Sequence, residues 1–343
     1  MKRKSLYGLM SLSFFLMISA AGAEQGPFDF SQEACQSWTP AMVGGPLSQD
    51  RHLLTMRWLG CVNMELTYKG QVILLSNYYD RGPRMPSIGF TAEQVVRADL
   101  IFLGQAHFDH MSDTASIALR TGALVFGHQT VADKLLTQGV PSSQIIVVKN
   151  GDVFHFDGFT VEAIHVLHSS VGNSVFGTPQ IAAAFAALVN LVWEPPTPEQ
   201  AAAEAAIAAR GSSDPKITTE GTFAYLFTFG KDFRYMFYDS MNPILTDETR
   251  EVMQRIGGRT DVATVGYQGP GPQIAVPYSL PAVKLFNPRF FIPGHQDPLP
   301  GFANDIALHP FFEKIMEELP GTEGLYLNYR QPICFNVEQR GYR

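Results

Sequence analysis

Two stretches of this chain run through the same order of elements, and that repetition is what most constrains its fold. The first opens with short β-rich segments, Leu53 to Leu59, Met64 to Tyr68 and Val72 to Leu75, with Lys69-Gly70 marking a hairpin turn between the last two. Strand-like runs then alternate with helical stretches: Leu100 to Leu103, Asp113 to Arg120, Ala123 to Phe126, Val131 to Gln138 and Ile145 to Val148. A further pair, Val153 to Phe156 and Phe159 to Val166, is joined at Asp157-Gly158 and ends just before His168. The second stretch abbreviates this order: Phe223 to Phe229, a turn at Gly230, Arg234 to Tyr238, a helix around Glu248 to Arg255, Val262 to Val265 and Phe290 to Ile292. Such alternation predicts sheets covered by helices, and two similar halves predict an α/β protein built as a four-layer αββα sandwich. No short-period repeat points to a solenoid.

An insertion of different composition, Val171 to Glu220, separates the halves. Its apolar run Ile181 to Trp193 is too short to span a bilayer, which takes ~20 residues, and too apolar to lie free in water. It is expected to pack on the body as a lid, a pocket wall or a contact between copies of the chain. After Glu194-Pro195-Pro196, the sequence Thr197-Pro198-Glu199-Gln200 offers a cap, a first-turn proline and a capping box, and Gly211 a stop. A helix from Pro198 to Arg210 is expected.

At the N-terminus, Lys2, Arg3 and Lys4 precede an apolar run from Leu6 to Ile18 and the small-residue pattern Ala21-Gly22-Ala23. Residues 1–23 therefore read as a cleaved secretory leader, residues 24–50 as a polar arm and residues 51–343 as the main domain. A periplasmic or secreted protein with no stable membrane anchor is expected. Losing those three cations moves the formal charge from −7 to −10, which argues against nucleic-acid partners. In an oxidising compartment disulfides persist, and Cys35 and Cys334, near opposite ends of the mature chain, are a candidate pair that leaves Cys61 unpaired.

The apolar run Leu100-Ile101-Phe102-Leu103-Gly104 is followed at once by Gln105-Ala106-His107-Phe108-Asp109-His110, just before a helix. Loops at strand ends are where reactive groups are usually presented. Imidazole and carboxylate are ligands that zinc and iron accept, and three of them within four residues is a strong local signal. A solvated polar loop is the competing reading of this stretch alone. His128, His165, His52, His155 and His309 are read as packing, surface or capping residues. Phe108, Met111, Phe176, Trp193, Tyr267 and Phe302 are read as core first and pocket second.

The stretch from Gln105 to His110 resembles the His-x-His-x-Asp-His signature of the metallo-β-lactamase superfamily. Trp58-Leu59-Gly60 followed by Val72-Ile73-Leu74-Leu75 resembles that family's opening hairpin, His168-Ser169-Ser170 its third-motif histidine, Tyr238-Asp239-Ser240 its bridging aspartate and Ile292-Pro293-Gly294-His295 its closing histidine. The similarity runs from about Leu53 to about Asp297 and looks closest to the lactonase-like branch. Carried over residue by residue, it implies one metal held by His107 and His168, a second by Asp109, His110 and His295, and Asp239 bridging the two. Gln105 stands where the first histidine is usual, and as a neutral, weaker ligand it is expected to leave the first site less firmly held. The family's first motif usually ends in aspartate, whereas here Ser76-Asn77 follows Leu75, with Asp80 a few residues on. The histidine common after Trp-Leu-Gly is Cys61, expected to be a small buried hydrophobe, with ligation as the alternative.

The resemblance implies Zn2+, two ions, with iron and manganese open. The implied reaction is hydrolysis of a carboxylic ester, lactone or amide-type bond in a small, partly apolar molecule by a metal-bound hydroxide, with Asp109 as a route for the leaving-group proton. No Gly-x-Ser-x-Gly elbow competes with it, and no arginine cluster near the motifs suggests a phosphate or sulfate substrate. The scaffold admits two other readings: a non-hydrolytic iron oxidoreductase, and a degenerate, metal-poor binding protein motivated by Gln105 and Ser76.

Overall fold

The structure is a computed structural model that describes residues 28–169, 194–268, 271–297 and 307–338. The leader, the apolar run Ile181 to Trp193, Phe176 and Phe302 lie outside the described residues. Two seven-stranded sheets face each other. The first has the order β14-β1-β2-β3-β4-β5-β6, from β1 (Leu53–Trp58), β2 (Met64–Tyr68), β3 (Gln71–Leu75), β4 (Leu100–Phe102), β5 (Leu124–Gly127), β6 (Ile145–Val147) and β14 (Pro332–Asn336). The second has the order β13-β12-β11-β10-β9-β8-β7, from β7 (Val153–Phe156), β8 (Phe159–His165), β9 (Phe223–Phe229), β10 (Phe233–Tyr238), β11 (Thr260–Gly266), β12 (Pro288–Gly294) and β13 (Glu323–Gly324). Each begins antiparallel and turns parallel, at β3 with β4 and at β10 with β11. The repeated order in the sequence is thus a repeated topology.

Alternation along the strands builds three apolar layers, because successive side chains point to opposite faces. In β9, Phe223, Tyr225, Phe227 and Phe229 face the first sheet, while Ala224 and Leu226 face outward. The inward set meets Leu54, Met56, Leu66, Ile73 and Phe102 to form the core between the sheets. On the outer face of the first sheet, Val72, Leu74, Ile101 and Val125 lie under α2 (Thr114–Thr121) and α3 (Gln129–Thr137). On that of the second, Met236, Ala263, Val265 and Phe291 lie under α6 (Asp247–Arg255), α7 (Pro272–Phe286) and α8 (His309–Glu318). The short helix α1 (Phe108–Met111) precedes α2, and α4 (Pro198–Ala208) and α5 (Lys216–Thr219) lead into the second half. Among the described residues, no helix is long and apolar enough to cross a membrane.

The insertion helix forms as expected, with the Thr197–Gln200 capping box present and its end two residues early, at Ala208. Sequence reasoning passed over α7, because Pro277 and Pro281 interrupt it. Each removes a backbone donor, but they lie four residues apart on one face. Pro277 is exposed and Pro281 half-buried, whereas Ala275, Ser279, Ala282, Val283 and Phe286 are buried, so the interrupted ladder faces away from the core.

Among the described residues no α-helix covers β1 and β2; the N-terminal arm, with its two short 3-10 turns, does. Arg57 and Glu65, opposite each other on the paired strands, are completely buried with Nη1 and Oε1 2.9 Å apart. Glu65 accepts the amides of Ala41 and Met42, and Arg57 donates to the carbonyls of Ala34 and Ser37. The Cys35–Cys334 disulfide closes the same seam against β14. Glu65→Ala would leave Arg57 buried without its counter-charge and two arm amides without an acceptor. The expected loss is about 3–5 kcal/mol, read as a lowered urea midpoint with the disulfide intact.

Candidate metal centre

The signature residues converge because each follows the C-terminal end of a strand at one edge of the sandwich. From the first sheet come Cys61 after β1, Ser76 after β3 and the Gln105–His110 loop after β4; from the second come His168 after β8, Asp239 after β10 and His295 after β12. Cys61, Ser76 and His295 adopt left-handed backbone, with φ of 50°, 57° and 59°. That conformation costs non-glycine residues of order 1–3 kcal/mol and concentrates at functional sites. Two hydrogen bonds from the second half fix the β4 loop: Tyr225 Oη donates to the Leu103 carbonyl (2.9 Å) and the Phe223 amide to that of Gly104 (2.8 Å). The Ser212 amide donates to the Ala106 carbonyl (2.7 Å), and the Asn77 amide to that of His110 (2.6 Å).

Asp109, His110 and His295 form a buried group. Asp109 Oδ2 lies 3.6 Å from His110 Nε2 and 3.7 Å from His295 Nε2, and those two nitrogens are 3.3 Å apart. Tetrahedral donors held at about 2.0–2.1 Å from one ion stand roughly 3.3–3.4 Å from each other, so this triangle fits one face of such a shell. Asp239 is fully buried with neither carboxylate oxygen hydrogen-bonded. His110 Nδ1 is 3.0 Å from Oδ2, close enough for charge attraction but off the hydrogen-bonding direction. A Cβ at Gly104 would overlap both Asp239 oxygens, so only glycine lets that carboxylate approach the β4 loop. An orphaned buried carboxylate beside three converging donors is the arrangement a divalent cation completes.

His107 and His168 form the open side: both are half-buried, their rings meeting edge to face with centroids 4.7 Å apart. His107 Nδ1 donates to Gln105 Oε1 at 2.5 Å and His168 Nδ1 to the Ser169 carbonyl at 2.8 Å. Each therefore keeps Nε2 as its lone-pair nitrogen, oriented through the other. Gln105, buried, here serves His107 as hydrogen-bond acceptor. Ser76 Oγ stands 3.5 Å from His110 Nδ1. Of the remaining histidines, His128 caps α3, and His52 and His309 are exposed.

Cys61 is completely buried in the core, as expected, with its Sγ 3.1 Å from His295 Nδ1. Sequence reasoning missed the pair Arg81–Asp297, in which Asp297 accepts the Cys61 amide (2.9 Å) and the Tyr329 hydroxyl (2.7 Å). The Arg81–Asp297–Tyr329 partnership joins positions more than two hundred residues apart, beyond the reach of local pattern.

Burial holds His168 and His295 down to about 4 and about 3, and it lowers His107. Burial opposes a charge on His110 as well, but Asp109 and Asp239 outweigh it and raise that ring. Burial would lift Asp109, yet His110, His295 and His107 hold it below the usual carboxylate range. At neutral pH only His110 among the ring ligands competes for a proton, so that proton must leave when a cation binds. Affinity should therefore rise with pH through His110's titration and level off above it, with release of about one proton per ion below that plateau. Calorimetry in buffers of different ionisation heat checks this, and in His110→Ala the release should vanish.

No family model matches the sequence. Among curated proteins the chain is 27% identical over 117 residues to a "UPF0173 metal-dependent hydrolase" of Roseiflexus sp., covering 34% of this chain and 48% of that one. It is 31% identical over 117 residues to a protein of the same name from Brucella anthropi, again 34% and 48%. The chain thus spans about half the length of the curated relatives it matches. Among solved structures it resembles the metallo hydrolase Igni18 of Ignicoccus hospitalis, with a TM-score of 0.55 and 17% identity over 82% of this chain and 98% of that one. It also resembles the diiron β-hydroxylase CmlA of Streptomyces venezuelae, with a TM-score of 0.51 and 14% identity over 80% and 53%. With its motifs set at the strand ends of a doubled sheet, the chain shares the α/β fold of these metallo hydrolases and over about a third of its length is similar to curated metal-dependent hydrolases.

Proposed function

We propose that this protein is a metal-dependent hydrolase that cleaves a carboxylic ester, lactone or amide-type bond in a small, partly apolar molecule. The observation that carries the reading is the triangle of Asp109 Oδ2, His110 Nε2 and His295 Nε2 beside the buried Asp239 carboxylate, whose oxygens accept no hydrogen bond. Those residues would hold one divalent ion, zinc in this reading, and His107 and His168 a second. Such ions supply a hydroxide nucleophile near neutral pH and Lewis acidity toward a carbonyl oxygen.

The protein's own groups do the rest. Asp109, held ionised by three histidines, would be the route by which a proton reaches the leaving group, with solvent as the other source. Substrate approaches from the half-buried His107–His168 side. Next to Phe108 a cavity of about 280 Å³ is lined by Tyr78, Arg81, Arg84, Glu204 and Ile207. Arg81 is paired with Asp297 and Arg84 with Glu204. The cavity therefore offers apolar walls and neutralised cations, which suits a neutral ester or lactone better than a phosphate. The Cys35–Cys334 disulfide supports an exported protein.

Metal analysis with a panel of ester, lactone, β-lactam and phosphodiester substrates tests the reading. Zinc content with turnover of the carbonyl substrates is expected, and His110→Ala should lose an equivalent of metal and fall to background. Stoichiometric iron with oxygen consumption, or no tight metal binding, would overturn it. Ile207→Trp should fill the cavity and raise KM for bulky apolar substrates roughly tenfold, with metal content unchanged.

A further inference from the structure

The helix that carries Asp109 and His110, α1, spans only four residues. So short a helix has no stability of its own, since isolated helices below about 12–15 residues are marginal in water, and its position must come from what touches it. Phe223, Tyr225 and Asn77 hold the surrounding loop through the bonds described above. A further support comes from the turn 210–212, which follows α4 at the end of the insertion.

Gly211 lies against the start of α1 with no room for a side chain. A Cβ there would stand 2.3 Å from the Phe108 amide nitrogen and 2.5 Å from its Cα, backbone atoms that no change of rotamer moves aside. The sequence reads Gly211 as a helix stop, but α4 ends at Ala208 and Gly211 is not left-handed. Close approach of two backbones, not a capping conformation, is what calls for glycine here. On one side of it, the Ser212 amide donates to the carbonyl of the completely buried Ala106 at 2.7 Å, a group that needs a partner when taken out of water. On the other, Arg210 Nη1 donates to Asp113 Oδ1 at 2.9 Å, while Asp113 Oδ2 accepts the amides of Tyr79 (2.6 Å) and Asp80 (2.9 Å). Gln138, at the end of α3, donates to the Arg210 carbonyl at 2.8 Å. Three consecutive residues thus grip the ligand loop on both flanks, at Ala106 before His107 and at Asp113 after His110.

We propose that the turn 210–212 positions the metal-ligand loop, which makes the insertion part of the metal centre and not a detachable cover. Its residues touch neither ion nor substrate and act through the backbone of Ala106 and Phe108. The same helix walls the cavity with Glu204, Ile207 and Ala208, and Arg84 holds it to the loop after β3 through both Glu204 oxygens, at 2.5 and 2.6 Å. The Gly211 amide donates to the Ala208 carbonyl at 3.1 Å, so the cavity wall and the seat of α1 are less than one helical turn apart and joined directly.

This inference rests on the metal-centre reading but is also read out without metal. In the metal-free full chain, hydrogen exchange of the α1 amides should be about tenfold faster in Gly211→Ala than in wild type, with exchange of β9 to β12 unchanged. Ala203→Gly, on the exposed face of α4, weakens that helix without touching the loop and should leave α1 exchange at the wild-type rate. Equal loosening in this control overturns the proposal in favour of general unfolding of the insertion. With zinc, chelator competition should show binding about tenfold weaker in Gly211→Ala and wild-type affinity in Ala203→Gly. Wild-type exchange, or wild-type zinc affinity, in Gly211→Ala overturns the proposal. If that variant fails to fold, Arg210 decides: Arg210→Ala should loosen α1 and weaken zinc binding, Arg210→Lys should restore both, and an Arg210→Ala protein identical to wild type overturns the proposal. A wild type that binds no metal, while Gly211→Ala still loosens α1, supports the positioning role and overturns the metal reading alone.

Discussion

Everything at the metal centre depends on the apolar layer that locks the two sheets face to face. No single sheet supplies the donors: three come from the loop after β4 and three from the ends of β8, β10 and β12. Phe102, the last residue of β4, stacks on Phe126 with centroids 4.5 Å apart and meets Tyr225 and Phe227 edge-on at 5.3 and 5.2 Å. These rings leave little freedom for the strand to slide, and a one-residue slip would turn each side chain to the wrong face. The same Tyr225 then hydrogen-bonds the Leu103 carbonyl. Packing and polar register act on adjacent residues, so the ligand loop starts from a fixed point.

That rigidity is needed because the site stores unfavourable electrostatics and backbone strain. Asp239 is buried with neither oxygen hydrogen-bonded, and Cys61, Ser76 and His295 are left-handed. Each is a cost that a relaxing protein would shed. The clamp of Asp297, Arg81 and Tyr329 on one side, and the Gly104 backbone against Asp239 on the other, keep the groups from separating. A bound cation would offset those costs at once, coupling its binding to the stability of this edge of the sandwich.

Sequence pattern revealed the strands nearly to the residue, because their alternation is carried by large aromatics whose two-residue period has no helical counterpart. The Phe223, Tyr225, Phe227, Phe229 series is one such signal. Pattern failed at α7, where two prolines mimic a loop, and at β14, whose partner β1 lies some 280 residues earlier. The ligand loop was legible because its chemistry is compressed into six residues after an apolar run. Gly104's role was not, since the clash it avoids is with a residue of the other half. Cys61 is buried in the core, as a lone cysteine in an apolar hairpin leads one to expect, but its neighbour His295 comes from the far end of the chain and no local pattern shows that contact.

The two halves of the centre are unequal, and the inequality follows from what surrounds them. Asp109, His110 and His295 are buried, with their spacing already near that of a coordination face. His107 and His168 are half-exposed and oriented through a glutamine amide and a single carbonyl. A neutral acceptor at Nδ1 polarises an imidazole less than a carboxylate does, so its Nε2 is a weaker donor. Solvent on that side also competes for the open positions. In the proposed reading, the deep half would retain an ion and the shallow half would exchange water and substrate. Gln105 is then intelligible as the residue that orients His107 while adding no charge on the side where, in the proposed reaction, a neutral carbonyl compound would enter.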